Sequence, residues 1–192
     1  MANKIKYGVK NLYYAVATIA DDGSATYGTP VKWPGAVSIA LDPQGESNPF
    51  YADNIVYYTS TANNGYSGDL ETALVPDSFK TDVLGFVQDG NGALVEDADA
   101  PVVHFALLGQ FEGDVNGKRF VLYNCTSNRP GVNGQTKEDS ITPQTETVTI
   151  TATTVYNETL DKNIVKAAVK GDDTPYDNWF DAVYEPSAPV SG

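Results

Sequence analysis

The chain has 192 residues, 41% of them hydrophobic, and this size and composition fit one globular domain that needs no disulfide or metal to fold. Its 25 acidic and 12 basic residues give a formal net charge of −13, which argues against a protein that grips nucleic acid, because that grip comes from lysine and arginine. One cysteine and one histidine exclude an intramolecular disulfide and a zinc site built from the usual ligands.

The amino-terminal residues MANKIKYGVKN are polar and charged, so we expect no signal peptide. No apolar run approaches the length of a membrane span. A single cysteine also agrees with a reducing compartment. We therefore expect a soluble protein that is made inside a cell and has no membrane partner.

The first predicted strand is LYYAVATI, residues 12–19, and it is followed by a turn signal at Asp22-Gly23. The stretch from Pro43 to Gly85 comes next and predicts three parts in a row. These are a polar loop with an apolar centre, a hairpin that turns at Asn64-Gly65, and one short helix.

The apolar centre of this loop is the most informative local feature of the chain. Phe50 and Tyr51 are adjacent aromatics in a segment rich in glycine, serine, asparagine and proline, so they cannot bury themselves locally. They pack either on another subunit or, as a lid, on the domain's own sheet. The residues alone leave these two alternatives open.

The helix is predicted to begin after Pro76, with Asp77 as its N-cap. Its apolar face carries Phe79, with Val83 and Leu84 one turn later. Gly85 is placed to end it as the C′ residue.

The second half of the chain predicts further antiparallel strands. Asp89 to Gly92 and Asn116-Gly117 are turn signals. In ETVTITATTVY, Val148, Ile150 and Ala152 alternate with threonines, which is typical of a half-buried strand with an exposed threonine ladder. The remaining predicted strands are VVHFALLGQF (102–111), which is apolar on both faces and so expected to be covered on both sides, RFVLYNCT (119–126), and roughly residues 163–170.

We expect residues 1–170 to form a single β domain and residues 171–192 to form a carboxy-terminal arm or short helix. The aromatic residues Trp179, Phe180 and Tyr184 either tie this segment down locally or dock on a neighbouring copy, and their helical spacing favours local packing. Residues 128–145 form a long polar loop, a length that indicates function or disorder.

Residues with catalytic chemistry are few. His104 lies in an apolar strand pattern beside no nucleophile motif, and Cys125 is expected to pack as a small apolar residue. Carboxylates cluster at 96–99 and 172–173, but without the spacing of an EF-hand. The sequence therefore predicts no enzyme activity, no catalytic residue, no metal site and no cofactor.

The chain resembles the major tail (tail tube) proteins of long-tailed bacteriophages over most of its length, from the first strand to about Ala152. The specific parts are the PxYADN pattern at Pro49 to Asn54, the hairpin and short helix that follow it, and the run TPQTETVTIT from Thr142 to Thr151. The resemblance implies a mainly β fold, an antiparallel β-sandwich or barrel-like tail tube fold with one short flanking helix and a long oligomerisation loop.

The resemblance also implies a function in the virion. Family members form hexameric rings that stack into a tube, through which DNA passes on its way into the host without specific binding. The partners would be further copies of this chain and the tape measure, tail terminator and distal tail proteins, with assembly in the host bacterial cytoplasm. By the same resemblance, Asp69 and Glu71 are candidates for facing the lumen. The oligomer interface would include Pro49, Phe50, Tyr51, Ala52, Asp53 and Asn54.

A different class of protein fits part of the same pattern. A monomeric immunoglobulin-like or carbohydrate-binding β-sandwich module, on a virion or cell surface, would also be all-β and expose aromatic residues. A deep aromatic-lined groove on a monomer would favour this alternative, whereas strong self-association would favour the tube.

Overall fold

In a computed structural model, residues 4–113, 115–136 and 143–188 of the chain are described, and the fold within them is mainly β. The one short helix is α1, Asp77–Asp82. The strands are β1 Lys6–Ile19, β2 Ala25–Tyr27, β3 Val31–Trp33, β4 Ala36–Pro43, β5 Ser47–Ala52, β6 Ile55–Thr61, β7 Tyr66–Thr72, β8 Phe86–Gln88, β9 Leu94–Glu96, β10 His104–Gly113, β11 Lys118–Ser127, β12 Glu146–Thr153, β13 Val155–Asn157, β14 Lys162–Ile164 and β15 Lys166–Lys170.

Within the described residues, nine strands form one antiparallel sheet with the order β2-β1-β10-β11-β12-β7-β4, in which β3 also pairs with β1 and β15 with β11. The turns predicted at Asp22-Gly23, Asp89–Gly92 and Asn116-Gly117 are confirmed, because each joins two consecutive antiparallel strands. The predicted antiparallel, mainly β fold is therefore confirmed. Thr142 and part of the polar loop, residues 137–142, lie outside the described residues.

The long strand β11 pairs with two different strands on the same side, so the sheet divides into two branches there. Its first half, Lys118–Leu122, pairs with β15, and its second half, Asn124–Ser127, pairs with β12. Strands β1, β10 and β11 therefore form a common wall with a separate apolar core on each face, which gives a sandwich-like arrangement. The expectation that the strand at 102–111 is covered on both sides is confirmed, since 105–110 are all buried.

The first core lies inside the curled sheet and is closed by α1. Phe79 of α1 is fully buried and packs its ring against Tyr14, Trp33 and Phe105. The first core also contains Val148, Ile150 and Ala152 of β12. The predicted alternation of these apolar residues with threonines is therefore confirmed.

The helix ends differ from the prediction. Pro76 is the N-cap, with the extended backbone that proline favours, and no side chain caps the helix. Asp77 is therefore the first helical residue, and its carboxylate pairs with Lys80 at 3.3 Å. Gly85, predicted as C′, lies two residues beyond the C-cap Val83 and has φ +74°.

The second core is covered by residues 171–188, which form turns without helix or strand. Trp179 is 2% exposed, donates a hydrogen bond from Nε1 to the carbonyl of Phe120 at 3.2 Å, and stacks on Tyr184. The guanidinium of Arg119 lies over the ring of Tyr176 and binds the backbone carbonyl of the same residue. These contacts hold the segment locally, although the division of the chain at residue 170 stays a prediction.

We predict that Trp179→Ala lowers the free energy of unfolding by about 3–5 kcal/mol, because it removes a buried indole and leaves the Phe120 carbonyl without its partner. Urea denaturation followed by fluorescence measures the loss. The control is Val132→Ala at a fully exposed side chain, with an expected change within about 0.5 kcal/mol. Equal stability of the two variants would show that the segment does not stabilise the domain.

Candidate interaction arm and acidic sheet face

Residues 47–61 form a β-hairpin that leaves the main sheet, which we call the arm. Among the strands that the structure describes, β5 and β6 pair only with each other, from Ser47 opposite Thr61 to Ala52 opposite Ile55. The turn lies at Asp53 and Asn54, which have φ of 52° and 62°, the left-handed conformation that two-residue hairpin turns require. The polar loop predicted around residue 50 is therefore a hairpin strand and a turn.

The hairpin turn predicted at Asn64-Gly65 is wrong. Gln44 donates its backbone N–H to the carbonyl of Gly65, and Asn64 donates to the carbonyl of Gln44, both at 2.8 Å. These bonds continue the β4–β7 ladder into the β5–β6 ladder, so the arm is the far end of one long hairpin. Gly65 has a positive φ because the chain kinks there, between the arm and the main sheet. The chain does not reverse its direction at this residue.

The kink requires glycine at residue 65. Its φ is +95°, and a Cβ atom there would lie 1.9 Å from the carbonyl oxygen of Ala152 and 3.2 Å from the Cα of Thr153. Ala152 and Thr153 belong to β12, whose backbone is held by hydrogen bonds to its neighbouring strands β11 and β7. Neither atom is therefore free to move aside. The base of the arm is therefore attached to the main sheet in a defined geometry.

The arm exposes apolar side chains on both of its faces. Cross-strand pairing puts Phe50 beside Tyr58 on one face and Tyr51 beside Val56 on the other. Six apolar side chains are between 52% and 71% exposed, namely Phe50, Tyr51, Ile55, Val56, Tyr57 and Tyr58. Such a concentration of exposed apolar surface is typical of interaction sites, and an isolated hairpin is only marginally stable in water.

Sequence reasoning found only the β5 half of this surface. It treated β6 as an ordinary strand, although the run Ile55–Tyr58 is apolar at four successive positions, a pattern typical of a strand covered on both sides. In the structure, Phe50 and Tyr51 are more than half exposed, so the domain's own sheets do not cover them.

The outward face of β4, β7 and β12 is polar and acidic. Register places Asp69 opposite Thr149 and Glu71 opposite Thr147, with Asp42 on the same side of the sheet. These three strands contain no lysine or arginine, so nothing within them neutralises the acids. We call this surface the acidic face.

Hydroxyl groups orient two of these carboxylates. Thr149 Oγ1 donates to Asp69 Oδ1 at 2.9 Å. Glu71 accepts from Thr145 Oγ1 at 2.6 Å and from Ser38 Oγ at 3.1 Å. The hydroxyl donors carry no charge that would offset the acids, so the face presents a negative field towards solvent.

The remaining candidates have structural roles. His104 Nδ1 lies 2.7 Å from Asn124 Oδ1, and burial raises the pKa of the Cys125 thiol to about 12, which keeps it protonated and unreactive. Two backbone N–H groups bonded to the Asp89 carboxylate lower its pKa and brace the β8–β9 turn. Among the described residues, no group of three or more histidine, cysteine, aspartate or glutamate side chains is arranged to hold a metal.

Glu96 forms an ion pair with Arg129, and Asp173 accepts a hydrogen bond from the backbone N–H of Lys170. Both acids therefore hold local chain conformation. Within the described residues, no helix has the length and apolar character needed to cross a membrane.

Comparison with known proteins identifies a family. A family model described as "Phage tail tube protein" matches residues 39–184, which include the arm, the acidic face and Trp179. No curated protein matches the chain.

We predict that Gly65→Ala destabilises the protein by about 2 kcal/mol or more, because alanine is strained at this φ and its Cβ meets fixed backbone. The melting temperature measured by circular dichroism should fall by roughly 4–8 °C. Gly90→Ala is the matched control, since a Cβ at Gly90 has nothing within 4 Å. An unchanged melting temperature in both variants would show that the kink at residue 65 is not tight.

Proposed function

The chain belongs to the phage tail tube protein family, whose members are structural components of phage tails, and from that premise we propose that its copies form hexameric rings stacked into the tube through which DNA passes during ejection into the host. The observation that carries the proposal is the arm, whose two apolar faces remain exposed in a single copy.

The arm is the main contact between copies in this proposal. Residues Pro49 to Asn54 and the β6 residues beside them bury their apolar side chains against neighbouring copies, and the hydrophobic effect drives the association. The strand order also ends at β2 and β4. Closing a ring covers such edges, which would otherwise pair without control.

The acidic face lines the lumen in this proposal. Asp69, Glu71 and Asp42 would repel the phosphate backbone, so DNA would slide past without binding. A basic lining would instead retain DNA in a salt-dependent way. The face suits this role because its three strands carry hydroxyl groups and carboxylates and contain no lysine or arginine.

The proposed partners and location follow from the family. The tube would contact the tape measure, tail terminator and distal tail proteins, and it would be assembled in the host cytoplasm before it forms part of the virion. The alternative of a carbohydrate-binding module is less well supported, because the exposed aromatic side chains of the arm lie on a projecting hairpin.

We predict that Phe50→Ala combined with Tyr51→Ala leaves a folded monomer that forms neither rings nor tubes, because both arm faces lose their largest contact in β5. Electron microscopy and light scattering of the purified protein, under conditions where the unchanged chain assembles, measure this. The control is Val87→Ala with Val95→Ala, a cross-strand pair on the β8–β9 hairpin with similar exposure, which should assemble normally. Normal assembly of the arm variant would remove Phe50 and Tyr51 from the interface.

We predict that Asp69→Lys combined with Glu71→Lys leaves tube assembly intact but slows or blocks DNA delivery, because a cationic lumen attracts phosphate. Phage particles carrying the variant would be scored for DNA release and infectivity. Glu158→Lys with Asp181→Lys makes the same change in net charge at exposed acids away from the acidic face, and should deliver DNA normally. Unchanged delivery by the Asp69/Glu71 variant would place these residues outside the DNA path.

A further inference from the structure

Asparagine is followed directly by glycine at several places in the chain, and this pair has a chemical property beyond its use in turns. The backbone nitrogen of the glycine can attack the side-chain carbonyl carbon of the asparagine, because glycine has no Cβ to hinder the approach. The attack closes a ring, so it requires a peptide unit that is free to rotate towards the side chain. The pairs are Asn64-Gly65, Asn91-Gly92, Asn116-Gly117 and Asn133-Gly134.

The first pair is held by hydrogen bonds at the base of the arm. Gly65 donates its backbone N–H to Asn63 Oδ1 at 3.1 Å, and Asn64 donates its backbone N–H to the carbonyl of Gln44 at 2.8 Å. The peptide unit between residues 64 and 65 is therefore fixed on both sides. The Gly65 nitrogen is held away from the attack on the Asn64 side chain.

The second pair is held inside the β8–β9 turn. Gly92 donates its backbone N–H to the carbonyl of Asp89 at 3.1 Å, and Asn91 donates its backbone N–H to Asp89 Oδ1 at 2.9 Å. Both side chains are exposed to solvent, yet the peptide unit that would have to rotate is fixed. Exposure alone therefore does not make this pair reactive.

The third pair is held by packing and by its side chain. Asn116 Nδ2 donates to Asp172 Oδ1 at 3.5 Å. A Cβ atom at Gly117 would lie 2.2 Å from Gln110 Nε2 and 2.9 Å from Tyr176 Oη, so the backbone there is closely surrounded. Neither the amide nor the peptide unit has room to reorient.

The fourth pair differs in each of these respects. Asn133 and Gly134 are exposed and lie outside the helix and the strands. A Cβ atom at Gly134 would have nothing within 4 Å. Within the described ranges, no hydrogen bond holds the backbone N–H of Gly134 or the side-chain amide of Asn133. The geometry needed for ring closure is therefore accessible at this pair in the folded chain.

We propose that Asn133 is a site of spontaneous covalent modification in the native protein. The Gly134 nitrogen forms a bond to Cγ of Asn133, the bond from Cγ to Nδ2 breaks, and the proton of the Gly134 N–H leaves with ammonia. Water then opens the resulting succinimide. Attack at Cγ gives aspartate, and attack at the backbone carbonyl carbon gives isoaspartate, so water is the only co-reactant and nothing is oxidised or reduced.

The modification changes the loop and leaves the sheet intact. Each event adds one negative charge, and the isoaspartate product also places an additional carbon atom in the main chain. The loop is fixed before this point, because Asn128 and Thr149 exchange two hydrogen bonds at 3.2 and 2.6 Å. We therefore expect the modified chain to keep its melting temperature. The inference is independent of the proposed function.

Mass spectrometry of aged protein tests the proposal. The full chain is incubated at mildly alkaline pH, natively and in urea, and is then digested at mildly acidic pH, where the reaction is slow. The exchange of NH₂ for OH is followed at each pair. In the native chain we expect Asn133 to react at least about tenfold faster than the other pairs, since these react only from locally opened states. In urea we expect the rates of all pairs to agree within about threefold.

Two variants test the cause of the difference. Gly134→Ala adds a Cβ atom that meets nothing, so the fold is kept, but the Cβ hinders the attack. We expect the reaction at Asn133 to slow severalfold and the rate at Asn91 to stay the same. Asp89→Ala removes the carboxylate that holds the β8–β9 turn and should raise the rate at Asn91 severalfold. Asn64 serves as the internal control in both variants.

The opposite results would overturn the proposal. Equal native rates at Asn133 and Asn91 would show that hydrogen bonds to the backbone give no protection. An Asn133 that reacts in urea but not in the native chain would show that its peptide unit is held in place. Neither result bears on the arm or on the formation of rings and tubes.

Discussion

Strands β10 and β11 are buried on both faces. Each face must therefore be covered by another part of the chain, and this requirement determines where the other layers of the protein pack. Leu107 and Leu122 point into the core inside the curled sheet, while Leu108 and Val121 point into the second core. The first core is closed by β12, β7, β4 and α1, and the second by the carboxy-terminal turns around Trp179. The outer side of the first cover carries Asp42, Asp69 and Glu71, so that surface is available for a purpose other than packing.

The long hairpin that runs from β4 and β7 into β5 and β6 differs between its two halves. The half in the main sheet packs on the core, and the other half forms the arm. Within the main sheet the inner side chains of β4 and β7 join the core, and their outer side chains make the acidic face. Beyond the kink at Gly65 the same ladder continues as the arm, where both faces are apolar and neither is covered. The continuous chain and its backbone hydrogen bonds connect the two parts, so the main sheet holds the arm without burying it. A single chain therefore combines a domain with two buried cores and an arm whose apolar side chains stay exposed.

The arm also shows where reasoning from sequence failed. Asn64-Gly65 and Asp53-Asn54 are both pairs that tolerate positive φ, and local chemistry does not say which pair reverses the chain. The choice depends on Tyr66–Thr72, which pairs with β12 across some eighty residues of sequence as well as with β4. The exposed side chains of β6 were missed for the same reason, since an apolar run is equally typical of a buried strand.

Features that depend on local periodicity and composition could be predicted from the sequence: the antiparallel β character, the doubly covered strand at 102–111, the alternation of Val148, Ile150 and Ala152 with threonines, the short helix packed through Phe79, and the family. The structure was needed to show that Asp42, Asp69 and Glu71 share one face and that the arm extends beyond the main sheet. The cause is strand register. A shift of one residue turns a side chain to the other face of a sheet, and register between distant strands is set by long-range pairing that no local pattern records.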